Sequence, residues 1–86
     1  MTTKEFKIQY ALGSLPYDIK YKLAANRNTS KKILTILSTD KDRHIKYCVA
    51  GNPNTPIKIL TILSKDKDRD IRRWAIKNSI RNFNRN

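Results

Sequence analysis

A single cysteine, Cys48, leaves the chain with no partner for an internal disulfide and too few thiolates for a zinc or iron–sulfur centre. Glycine is almost missing. Gly13 and Gly51 are the only two, and each reads as a helix end, so no glycine-rich loop is present to cradle phosphate. His44 is the only histidine and stands at no ligand spacing from a second donor, which argues against a metal site. Carboxylates are also scarce: seven Asp and Glu face 19 Lys and Arg, leaving a net charge of +12 on 86 residues. No segment approaches the roughly 18 apolar residues that a membrane span needs, and Met1 to Tyr10 holds no apolar run of the signal-sequence kind. These absences point to a cofactor-free protein of the reducing cytoplasm, away from the membrane. The charge points to an acidic partner: nucleic acid, an acidic protein or an anionic membrane surface, the last disfavoured because no helix combines basic residues with a free apolar face.

What the chain does have is a repeat. Ile33 to Asp42 returns almost unchanged at Ile59 to Asp68, and laying Thr29 to Asn54 over Thr55 to Ile80 gives 14 identities in 26 positions. The same shift applied backwards sets Ile8, Tyr10 and Ala11 under Leu34, Ile36 and Leu37, and sets Ala24 and Asn26 under Ala50 and Asn52. Three units follow in one domain spanning 1–86: about 3–28, 29–54 and 55–80, with a frayed tail over 81–86. A fixed period of this size marks stacked supersecondary units, of which about three are needed to hold together. Phe6 and Tyr10 are aromatics that the later units lack at those positions, and they read as part of an N-terminal cap.

Each unit reads as two short helices. The first is clearest at Thr55 to Leu63, with Thr55 placed as N-cap, Pro56 at the first helical position, and Ile59, Leu60, Ile62 and Leu63 as a wide apolar stripe. An acidic turn follows, Asp40-Lys41-Asp42 or Asp66-Lys67-Asp68, whose carboxylates suit the positive end of the next helix. That second helix spans about Arg43 to Ala50, Arg69 to Lys77 and, in the first unit, Pro16 to Ala25. Ile45, Cys48 and Val49, with Ile71, Trp74 and Ala75, are its expected inward face. Asn52-Pro53 is expected to end it, because proline disfavours a helical residue before it.

The run from Ile45 through Asn52-Pro53-Asn54-Thr55-Pro56, followed by Leu60, Leu63 and Asp66, resembles the leucine-rich repeat variant family, whose repeats read V-R-x-x-V-A-x-N-P-x-T-P-x-x-x-L-x-x-L-x-x-D. The resemblance covers most of the chain and is strongest in the middle. It implies an all-α fold: a right-handed helical-repeat solenoid of paired short α and 3₁₀ helices, related in shape to HEAT-type repeats. It implies a binding surface rather than one activity. The repeat is slightly longer than the usual family length, and the cysteine cluster of one branch is absent.

No constellation suited to catalysis emerges. Asp66 and Asp68, with Lys67 between them, read as caps rather than an acid–base pair, and Cys48 reads as a core thiol rather than a nucleophile. The informative residues lie on the opposite side of the second helix. Arg43, Lys46 and Tyr47 share a face at i, i+3, i+4, and the same columns give Arg69, Arg72 and Arg73 in the third unit and Tyr17, Lys20 and Tyr21 in the first. These nine positions hold only Arg, Lys and Tyr and are expected to line up as a basic and aromatic ridge. Guanidinium groups suit phosphate oxygens, and tyrosines offer a stacking face for an unpaired base. The column Lys20, Lys46, Arg72 has a second reading, in which it only neutralises the acidic turns of neighbouring units. The expected function is non-enzymatic nucleic-acid binding, mainly through phosphates. The alternative is a protein scaffold that grips an acidic partner or forms a homodimer through apolar surface around Trp74 and Ile80.

Overall fold

The computed structural model describes residues 1–83. It consists of six helices and, among those residues, no strand: α1 (Thr3–Leu12), α2 (Tyr17–Ala25), α3 (Lys31–Leu37), α4 (Arg43–Gly51), α5 (Ile57–Leu63) and α6 (Arg69–Phe83). A radius of gyration of 12.3 Å is close to the ~12 Å of a compact chain this long. All six helices are α, and no 3₁₀ segment occurs among the described residues. Helix α4 lies between α2 and α6, α1 packs on α3, and α5 packs on α6.

The core is aliphatic. Leu34, Leu37, Ile45, Val49, Leu60 and Ile71 are sealed from solvent, and Phe6 closes the N-terminal end. Tyr10 stacks on Phe6 with ring centroids 5.7 Å apart and donates its hydroxyl to Asp40 Oδ2 at 3.0 Å. This is the capping part expected of that pair. Helix α1 begins with a reciprocal capping box between Thr2 and Glu5 and ends at Gly13, whose φ of 70° is the left-handed conformation that glycine adopts without a Cβ penalty.

The inward face of the second helices is turned slightly from the expected one. Ile45, Val49 and Ala50 are buried in α4, and Ile71, Ala75 and Asn78 in α6, while Cys48 and Trp74 are only partly covered. The cause is polar. Asn52 Nδ2 donates to the carbonyls of Ala24 (2.8 Å) and Asn26 (3.0 Å). Twenty-six residues later, Asn78 Nδ2 donates to those of Ala50 (2.9 Å) and Asn52 (2.7 Å). Each buried amide thus ties down two carbonyls at the end of the preceding second helix, those of Asn26 and Asn52 also accepting the N–H groups of Thr29 and Thr55, and each amide bond is worth about 1 kcal/mol.

Helix starts and ends follow from the same bonds. Thr55 is not an N-cap: its hydroxyl donates back to the Val49 carbonyl at 2.7 Å, and Pro56 occupies the cap with no side-chain bond. Thr29 does the same to Leu23 at 2.6 Å, whereas Ser30 caps α3 by accepting from the Ile33 N–H. Helix α4 ends at Gly51 with Asn52 extended before Pro53, as expected, while α2 ends at Ala25 although Arg27 stands where Pro53 stands later, so the stop the two share does not require proline. Arg81 holds the place of Thr29 and Thr55, with no hydroxyl to turn the chain, and α6 runs on to Phe83 instead of stopping at Lys77. Residues 81–83 are therefore helical rather than frayed. The rest of the expected tail, 84–86, lies outside the described residues.

Candidate functional site

The Asp-x-Asp turns are built first, because they organise the charged side chains around them. Asp40 Oδ1 accepts the Asp42 N–H and Asp66 Oδ1 the Asp68 N–H, each at 2.9 Å, which fixes the turn. Asp42 Oδ1 then accepts from the N–H groups of His44 and Ile45, and Asp68 Oδ1 from those of Asp70 and Ile71, so the second carboxylate caps the following helix. The capping expected of these residues is present.

The second oxygens of Asp40, Asp66 and Asp68 take cations from the preceding second helix. Lys20 Nζ lies 3.0 Å from Asp40 Oδ2, and Lys46 Nζ lies 2.9 Å from Asp66 Oδ2, with both lysines largely covered. Arg43 Nε reaches Asp68 Oδ2 at 2.7 Å, and its terminal nitrogen reaches Asp70 at 3.5 Å. Burial alone would raise the Asp40 and Asp66 carboxyls. Hydrogen bonds from the turn N–H and from the lysine outweigh it, and both end below the usual carboxylate range. Asp68 is drawn down to about 2, chiefly by the Arg43 hydrogen bond. Burial and the bond to Asp40 push the Tyr10 hydroxyl up to about 12.

The nine ridge residues therefore fall into separate groups. Lys20, Arg43 and Lys46 are held in ion pairs between successive turns and helices. Arg72, their counterpart in α6, folds back and donates to the carbonyls of Asp66 (2.8 Å) and Lys67 (3.0 Å). Arg69 and Arg73 are exposed and make no ion pair among the described residues. Tyr17, Tyr21 and Tyr47 stay on the surface at 48%, 45% and 37% exposure, enough to leave a ring face free.

These tyrosines belong to a wider aromatic face across α2, α4 and α6. Tyr17 and Tyr21 stack at 6.3 Å, and Tyr47 meets the half-buried Trp74 edge-on at 6.0 Å. Lys77 Nζ lies over the Trp74 ring at 5.5 Å. A shallow groove of about 240 Å³ runs between them, lined by Ala25, Tyr47, Cys48, Gly51, Pro53 and Trp74. A second, of about 370 Å³, is lined by Tyr17, Tyr21, Lys22 and His44, with Asp18 at its edge. Burial raises the Cys48 thiol above its ordinary value, so the thiolate is scarce at neutral pH and the residue serves as groove floor.

Trp74, Lys77 and Lys22 were not among the residues expected at the site. Their signal was in the repeat, since the column occupied in turn by Lys22, Cys48 and Trp74 is too varied in size and polarity for a core position. Among the described residues, no group of three His, Cys, Asp or Glu side chains is placed to hold a metal ion, and no helix is long and apolar enough to cross a membrane. Comparison with protein-family models, curated proteins and solved structures finds no match to this chain.

Proposed function

We propose that the chain is a non-enzymatic binding module that takes single-stranded nucleic acid on the face shared by α2, α4 and α6. The observation that carries the proposal is that three exposed tyrosines and a half-exposed tryptophan share one face with unpaired cations. Tyr17, Tyr21, Tyr47 and Trp74 supply rings for unpaired bases, which stack on any aromatic face with little selection. Arg73, Lys22 and Lys77 supply charge to the phosphates. Lys20, Arg43 and Lys46 act indirectly by neutralising the turns, so the net charge of +12 is expressed as a largely uncontested positive field. The scaffold in this reading is a right-handed solenoid of three 26-residue units, of the leucine-rich repeat variant kind. The recurrence of the Asn52 and Asn78 bonds at the repeat spacing supports it.

Fluorescence anisotropy of labelled single- and double-stranded oligonucleotides across a salt series tests this reading. With about three phosphates neutralised, the log–log salt slope on a single strand should be about −2, and duplex should bind more weakly. Tyr47→Ala should lose about 1–3 kcal/mol of binding, and Arg73→Glu with Lys77→Glu should flatten the slope. Absence of binding at low salt would sink the proposal.

A further inference from the structure

The ion pairs between turns and helices follow one rule, and the last helix breaks it. The second helices pass basic side chains to the Asp-x-Asp turn of the following unit, two from α4 and one from α2. From α4, Lys46 goes to the first carboxylate, Asp66, and Arg43 to the second, Asp68. From α2, Lys20 goes to Asp40. In α6 the corresponding donors are Arg72 and Arg69, and neither reaches a carboxylate among the described residues. Arg72 settles for neutral carbonyls of its own turn, while Arg69 is exposed without an ion pair among the described residues.

The apolar side chains at this end tell the same story. Ala50 is sealed from solvent, but Ile76, its counterpart in α6, is 47% exposed; Ile36 is half-buried, but Ile62, its counterpart in α5, is 61% exposed. Arginines lacking carboxylates thus share an end with isoleucines that have lost their cover.

We propose that this end of the α5–α6 pair binds a segment of another protein that carries two carboxylates two residues apart, flanked by apolar side chains, seated as the Asp66-Lys67-Asp68 turn sits on α4. The second carboxylate meets Arg69. The first draws Arg72 away from its carbonyls, exchanging neutral acceptors for a charged one, which makes a stronger hydrogen bond. A second intact copy fits poorly. Asp40, Asp66 and Asp68 are already taken by Lys20, Lys46 and Arg43, Asp42 is engaged in capping its own helix α4, and the turn equivalents in its first unit are Ser14 and Pro16, which carry no charge. The proposal is independent of nucleic-acid binding, which uses the aromatic face.

The test uses the full chain and a fluorescently labelled peptide copying residues 59–77, which carries a free Asp66-Lys67-Asp68 turn. Saturable binding is expected, weakened at least tenfold by Asp66→Asn with Asp68→Asn in the peptide and by Arg69→Gln in the protein. Arg69 has no partner to lose, so that variant should fold, as an unchanged circular dichroism spectrum would show. Lys31→Gln with Lys32→Gln, and Tyr47→Ala, should leave peptide binding unmoved. Absence of saturable binding, or binding indifferent to the peptide carboxylates, would overturn the proposal. So would displacement of the peptide by an oligonucleotide whose own binding depends on Arg69, which would assign the end to nucleic acid. A sedimentation mass of two chains that Arg69→Gln reduces to one would assign it to a second copy and overturn it equally.

Discussion

Asp68 carries two roles on two oxygens: it caps α6 through the N–H groups of Asp70 and Ile71, and it holds the Arg43 guanidinium at 2.7 Å. With the arginine as the largest cause, its folded pKa falls to about 2 from an ordinary 3.8. A depressed carboxyl stabilises the folded chain above its unfolded pKa, and that contribution drains away as pH falls from about 4 toward 2. Arg43→Gln should therefore melt slightly below the parent at pH 6, with the gap closing by about pH 2; the gap is small because the pair is partly exposed. Thermal melts across that range check it, and a gap independent of pH would contradict it. Only part of this was legible at residue level in the sequence. The acidic turns announced themselves as caps, but which cation reaches which carboxylate depends on how one unit sits against the next.

At the level of elements, the sequence told helix from strand correctly and read the stops only in part. Asn52-Pro53 ends α4 as expected, yet α2 ends at the same place without a proline. The work is done by the Thr29 and Thr55 hydroxyls and the Asn52 amide, whose targets are carbonyls about six and 28 residues earlier in the chain. A one-dimensional reading sees a threonine before a helix and assigns it to that helix. The same distinction separates the two glycines. Gly13 sits at a φ of 70°, where a side chain is strained although nothing lies within 4 Å of an added Cβ. Gly51 has no positive φ, and a Cβ there would make ordinary contact with Trp74 at 3.9 Å. Gly51→Ala should raise stability by about 0.5–1 kcal/mol, whereas Gly13→Ala should lower it by about 1 kcal/mol. Urea denaturation of the two variants reads both signs, and a shared sign would refute the assignment.

For the molecule as a whole, the proline start and the 3-to-4 apolar spacing carried furthest: they predicted helices, and the described residues are all-helical. The ridge was legible as a pattern of side chains but not as a surface, because a column of lysines looks the same whether it faces solvent or the next turn. Lys20 and Lys46 face the turn; Tyr17, Tyr21 and Tyr47 face solvent. The aromatic character of that face was underestimated for the opposite reason, since Trp74 at i+3 from Ile71 fits a core stripe by spacing alone. Trp74 is also the only tryptophan in the chain, so its emission reports on the proposed face without a label. The direct measurement is Trp74 fluorescence during titration with an unlabelled single-stranded oligonucleotide at low salt, repeated at high salt. Stacking of bases beside Tyr47 and displacement of Lys77 from the indole predict a saturable quench that high salt reverses. Emission that stays constant while the oligonucleotide binds would place the contact elsewhere, and constant emission with no binding would remove nucleic acid from the account.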